Sequence, residues 1–149
     1  MGLFSKKNQI TFAMEDGLDN IKKGSVVTLT LLDDGLTIKQ NLTKNVSHLK
    51  YGQITNIGTV KEEEIIEKNK SVIGRAVVGD LLLGPLGAVV GGMSGIGTKQ
   101  KKKSRLYFII NYDDDDDDDD DGRVLSFLVT GNTMGLPKFK KELNERIGL

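Results

Sequence analysis

The sequence predicts an α+β domain: a bent antiparallel sheet or open β-barrel, closed by a C-terminal amphipathic helix and interrupted by an inserted glycine-rich apolar hairpin that reads as helical. Three observations predict it. Segments with period-two hydrophobicity lie on both sides of a glycine-rich stretch, at residues 25–39 and 106–130. In the tail, Leu136, Phe139, Leu143 and Ile147 recur at helical spacing. Between the two strand regions, residues 71–98 hold eight glycines among aliphatic side chains.

Residues 1–8 read as a flexible N-terminus and 9–149 as one domain, with an insertion at 71–98 and an acidic loop at 113–121. In residues 25–32, SVVTLTLL, Val27, Leu29 and Leu31 alternate with threonines, which predicts a strand. Asp33-Asp34-Gly35 supplies a turn, and Leu36-Thr37-Ile38-Lys39 alternates again, so the two form a hairpin. Residues 46–60 carry one or two more strands, around Leu49-Lys50-Tyr51 and Ile54 to Ile57. Residues 61–70 are highly charged around Ile65-Ile66, and propensity leaves strand and helix both open. Residues 106–112, LYFIINY, place Leu106, Phe108 and Ile110 on one face and Tyr107 and Ile109 on the other. Residues 124–130, VLSFLVT, form the next strand, and the nine aspartates between them read as a long hairpin loop ending in Gly122. Pro137 suits the first turn of the closing helix, where its missing N–H has no helical partner.

The chain has 149 residues, enough for one domain with a modest core. Lys+Arg and Asp+Glu both number 21, so no global field draws the molecule to nucleic acid. The chain lacks cysteine, which excludes disulfides, thiolate metal sites and cysteine nucleophiles. That composition fits a cytoplasmic location. Met1 to Gln9 has no apolar core of a secretory signal, and Lys6 breaks the myristoylation pattern after Gly2. The sole histidine, His48, has no second ligand at metal spacing and reads as structural. No nucleophile-elbow motif occurs, and the carboxylates cluster in polar runs rather than beside apolar residues that would raise their pKa. No catalytic residue, metal ligand or cofactor is assigned.

The glycine-rich stretch carries the strongest pattern. Gly87, Gly91 and Gly95 stand four residues apart, and Ala88 and Gly92 repeat the step one residue on. On a helix this makes a strip without side chains, open to close approach by another helix. Each glycine costs about 1 kcal/mol in an exposed helix, so a helical strip requires a compensating contact. One straight helix over 72–97 would measure about 39 Å, longer than the ~30 Å hydrocarbon core. Gly84-Pro85 breaks it in the middle. Strands on both sides belong to one sheet, so the segment must return to the side it left. Each arm then spans only about 18–20 Å, too short to cross. Arg75 and Asp80 further oppose insertion. A phosphate-loop reading of residues 91–99 fails, because the G-x-x-x-x-G-K-[ST] spacing is missing.

Two charge clusters flank the strand at 106–112. Lys99, Lys101, Lys102, Lys103 and Arg105 precede it and nine aspartates follow it. A separation of about 23 Å exceeds two Debye lengths of about 8 Å, so the clusters do not neutralise each other. The basic group suits anionic headgroups, and the absence of interleaved aromatics argues against nucleic acid. The aspartate run lacks the central glycine, mixed ligands and closing glutamate of a calcium loop, and reads as a solvated loop or a dock for a basic partner.

Asp34-Gly35-Leu36-Thr37-Ile38, Leu49-Lys50-Tyr51-Gly52-Gln53-Ile54, the hairpin at 106–130 and the helix at 138–147 together resemble bacterial PH-like and GRAM-like domains. Residues 71–98 are similar to a glycine-zipper-like segment of small uncharacterised proteins from Gram-positive bacteria and their phages. The resemblance implies a binding scaffold without naming its ligand. The expected function is therefore a non-enzymatic interaction module that forms a homo-oligomer or binds a protein through the glycine-patterned hairpin. Its candidate interaction residues are Gly84, Gly87, Ala88, Gly91, Gly92, Gly95 and the five basic residues Lys99, Lys101, Lys102, Lys103 and Arg105. Two alternatives stand beside it: a peripheral protein of anionic membranes that uses hairpin and basic cluster, and a phage-type inhibitor of a basic host protein that uses the aspartate run. For residues 71–98 a third placement is open too, as a glycine-rich loop or helical hairpin that covers the domain's own core.

Overall fold

A computed structural model of the chain describes residues 8–43, 45–69, 77–78, 81–83, 105–113, 122–130 and 135–148. The chain starts with β1 (Gln9–Asp16), β2 (Val26–Leu31), β3 (Gly35–Gln40) and β4 (Val46–Lys50), each antiparallel to the one before. A 3-10 turn at Tyr51–Gln53 leads into β5 (Ile54–Lys61) and then α1 (Glu62–Asn69). Two short strands, β6 (Val77–Val78) and β7 (Leu81–Leu82), pair only with each other. β8 (Leu106–Tyr112), β9 (Arg123–Leu128) and α2 (Leu136–Ile147) complete the fold. The main sheet has seven strands in the order β4-β3-β2-β1-β9-β8-β5.

The expected open antiparallel sheet with a C-terminal helix is therefore present, and strands from both sides of the insertion share it. The hairpin expected at 25–39 is the β2–β3 pair, with Leu29 opposite Ile38 and Leu31 opposite Leu36. The region 46–60 holds two strands, separated where the Gln53 side chain accepts a hydrogen bond from the Lys50 N–H (3.0 Å). The sequence reading assigns no element to residues 10–16, yet β1 is the centre of the sheet. It bonds to both β2 and β9, and its Phe12 and Met14 are buried.

The principal core lies between the sheet and α2. Phe12, Phe108, Phe127 and Phe139 meet there with ring centroids 5.4–6.4 Å apart, a spacing at which aromatic pairs gain beyond area burial. Leu136, Phe139 and Leu143 of α2 are buried in it and Ile147 packs against it, as the helical stripe requires. The last turn of α2 is tied to the β2–β3 turn: Arg146 donates to the Leu32 carbonyl (3.0 Å) and pairs with Glu142 (3.1 Å). The Tyr51 hydroxyl donates to the same Leu32 carbonyl. Gly17, just after β1, takes φ of +126°, where an L side chain is strained. A Cβ there would also stand 2.6 Å from the Val124 carbonyl oxygen.

One expectation is corrected in part. The insertion was expected as a helical hairpin, but its described pieces are extended: Val77 pairs with Leu82 and Val78 with Leu81. Paired valines favour a strand over a helix, and Asn111 of the main sheet offers Leu82 a strand-like partner. The glycine-patterned residues from Gly84 on, which carried the helical expectation, lie outside the described residues, as do 114–121 of the acidic loop. The open choice at 61–70 resolves as α1. Glu62, Glu63 and Glu64 occupy its first turn, where carboxylates favour the positive end of the helix dipole. Glu64 Oε1 reaches back and accepts from the Lys61 N–H (2.8 Å), which caps the start of the helix.

Candidate functional site

The insertion enters and leaves the sheet at one place. β5 and β8 pair antiparallel through Lys61 opposite Leu106, and the Glu62 N–H donates to the Arg105 carbonyl (2.7 Å). Residues 62–105 thus form a closed excursion from a single point on the sheet edge. A single membrane crossing by this segment is incompatible with that pairing. No described helix is long and apolar enough to cross a membrane.

The first part of the excursion folds back on the sheet. The face of β5, β8 and β9 turned away from α2 carries Val60, Tyr107, Ile109, Val124 and Leu128. Ile65 of α1 and Leu81 and Leu83 of the insertion cover it, which makes a second core. Ile65 and Leu83 are fully buried. This explains why β8 is apolar on both faces: each side has its own cover.

Three features fix β7 on that face. Gly58 of β5 lies beneath it, and a Cβ there would stand 3.1 Å from Leu81 Cδ2, so the bare backbone lets the leucine approach. Leu82 Cδ1 lies 3.5 Å from where a Cβ of Gly122 would stand. The third is Asn111 of β8, buried at 3% exposure. Its Oδ1 accepts from the Leu82 N–H (2.8 Å) and its Nδ2 donates to the Leu82 carbonyl (2.9 Å). One side-chain amide thus does for Leu82 what a neighbouring strand would do. Among the described residues, no buried side-chain nitrogen or oxygen lacks a hydrogen-bond partner.

The acidic loop is rooted close by. Its first residue, Asp113, exchanges hydrogen bonds with Gln53: Asp113 N–H to Gln53 O (2.9 Å) and Gln53 Nε2 to Asp113 O (3.0 Å). Arg105 and Asp113 stand just beyond opposite ends of β8, so the basic and acidic runs join the sheet at opposite ends of one strand. Beside the acidic root, a cavity of about 230 Å³ opens between β4 and the end of β8, lined by Leu18, Ile38, Ser47, His48, Leu49, Gln53, Tyr112 and Leu125. His48 reaches its rim from the exposed side of β4, with Thr37 Oγ1 3.5 Å and Asp34 Oδ1 3.8 Å away.

Of the candidate interaction residues, only Arg105 is described, and its side chain is exposed. Gly84, Gly87, Ala88, Gly91, Gly92, Gly95, Lys99, Lys101, Lys102 and Lys103 lie outside the described residues. Burial raises the Tyr107 pKa, and the Arg105 guanidinium opposes that rise. Burial also raises the Tyr51 pKa, against the pull of Arg146. The sequence reading kept open that residues 71–98 cover the domain's own core, which Leu81 and Leu83 do, but it foresaw neither a separate second core nor the part of Asn111. A signal existed: an amide inside the apolar run LYFIINY needs buried partners, and only a segment outside the main ladder could supply them.

A family model described as a glycine zipper containing PH domain matches residues 2–118 of the chain. The match spans β1 to β8 and the whole glycine-patterned insertion, and ends before β9 and α2. No curated protein and no solved structure matches.

Proposed function

Because the chain belongs to the family of glycine zipper containing PH domains, we propose that it is an interaction module that joins a second copy of itself, or another protein, through the glycine-patterned segment. PH domains are in general non-enzymatic binding modules, which supports the coarser half of this reading. The finer half rests on the closed excursion from the Lys61–Leu106 pair. Leu81 and Leu83, just ahead of the glycine repeat, are committed to the domain's own outer face. The repeat at Gly87, Gly91 and Gly95 starts after them and carries almost no side chain with which to build a core of its own. A partner's close-packed backbone is the contact that offsets the glycine cost.

Static light scattering in detergent-free buffer tests this. The reading predicts a mass above the 16.3 kDa of one chain, rising with concentration, or a stable complex with a protein partner. A second reading, docking on anionic membranes, draws on exposed Arg105 at the root of the insertion with the lysines before it. It predicts co-sedimentation with phosphatidylserine vesicles that weakens as salt rises. Binding to neutral and anionic vesicles alike, or to neither, counts against that second reading. Both readings place the protein in the cytoplasm, the second at its membrane face.

A further inference from the structure

We propose that Asn111 is a positioning residue for the glycine-patterned segment: its amide fixes the point from which that segment departs the domain. The inference deepens the proposed function and rests on it only for the association readout below. Leu82 is held at both its backbone polar groups by one side chain, at 2.8 and 2.9 Å. Leu83 follows, fully buried, and Gly84 begins the segment. β7 has only a two-residue partner in β6, so its own ladder is too short to hold it. The side chains of Leu81 and Leu83 supply apolar contact but no register, since apolar contact is non-directional. The paired hydrogen bonds supply the register. A slip of β7 by one residue would put the Asn111 amide opposite Leu81 or Leu83 and turn the leucine faces outward. Asn111 thus sets both the height of the departure point along β8 and which leucines face the sheet.

The test is Asn111→Val, which puts a strand-forming side chain of similar size there and removes both bonds. Two readouts separate positioning from mere stability. Hydrogen exchange reports the Leu82 amide against amides of the β8–β9 ladder, such as those around Phe108 and Phe127. Light scattering reports association. The proposal expects the Leu82 amide to exchange at least about tenfold faster, with the β8–β9 ladder unchanged, and the dissociation constant of the assembly to rise at least about tenfold. Unchanged protection at Leu82 overturns the clamp. Faster exchange at Leu82 with unchanged association overturns the positioning role. If the variant does not fold, the wild-type protein decides: the Asn111 side-chain amide protons must be slow to exchange by NMR, and fast exchange there overturns the clamp. If the wild-type chain neither self-associates nor binds a protein, the proposed function fails, and the exchange readouts still decide whether Asn111 anchors residues 81–83.

Discussion

Replacing Leu83 with alanine tests whether the start of the insertion belongs to the domain's own core. Leu83 is fully buried, on the face of the sheet opposite α2, among Val60, Ile65, Tyr107 and Ile109. The change removes three carbons from an apolar site. At about 0.8 kcal/mol per carbon, transfer alone costs about 2.4 kcal/mol. The cavity left behind adds to this, but β7 is short and can settle inward, so the total falls near the low end of buried leucine truncations, about 3 kcal/mol. With an m-value of about 2 kcal/mol/M, the urea midpoint drops by about 1.5 M. Leu42→Ala is the control, because Leu42 is 92% exposed in the turn after β3. It should shift stability by less than about 0.5 kcal/mol. A Leu83→Ala midpoint that coincides with that of the control would refute the reasoning, since residues 81–83 would then not cover the sheet.

Gly17→Ala should destabilise by about 2 kcal/mol or more in the same assay, because φ of +126° and a Cβ 2.6 Å from the Val124 carbonyl oxygen combine strain with a backbone clash. A neutral result would mean that the β1–β9 junction is looser than described. Alkaline stability should depend on Tyr107, whose pKa is raised by burial and only partly restored by Arg105. The unfolded phenol ionises near pH ~10 while the folded one keeps its proton. Its contribution is therefore complete below about pH 10 and is lost as pH rises through the higher folded value. Tyr107→Phe should flatten the fall in unfolding free energy above pH ~10, and identical slopes for the two proteins would contradict this.

The elements that could be read from the sequence are those whose evidence is local. The β2–β3 hairpin has its turn residues and alternation side by side, and α2 shows its stripe within one segment. β1 carried local evidence as well, with Ile10, Phe12 and Met14 at every second residue and Asp16-Gly17 as a turn signal behind them, and the sequence reading passed over it. Its place at the centre of the sheet comes from pairing with β9, more than a hundred residues away. α1 was ambiguous because the contact that decides for helix, Ile65 in the second core, is tertiary. That the cover of the insertion makes a second, separate core was not legible. This core joins residues of α1, β7 and β8, and no period within any one of them announces a second cover. The glycine spacing at 84–97 was plain in the sequence, and the matching family model bears the same feature in its name. The root of that segment, held by Asn111, needed coordinates.

The central claim is that glycines of the insertion make the contact between the domain and its partner. Light-scattering mass of Gly91→Leu against wild type tests it most directly. A leucine in the middle of the Gly87, Gly91, Gly95 series holds the backbones apart, so the account predicts that the wild-type assembly falls to the 16.3 kDa monomer while the far-UV spectrum of the sheet is kept. A Gly91→Leu protein with the mass of the wild-type assembly would contradict it.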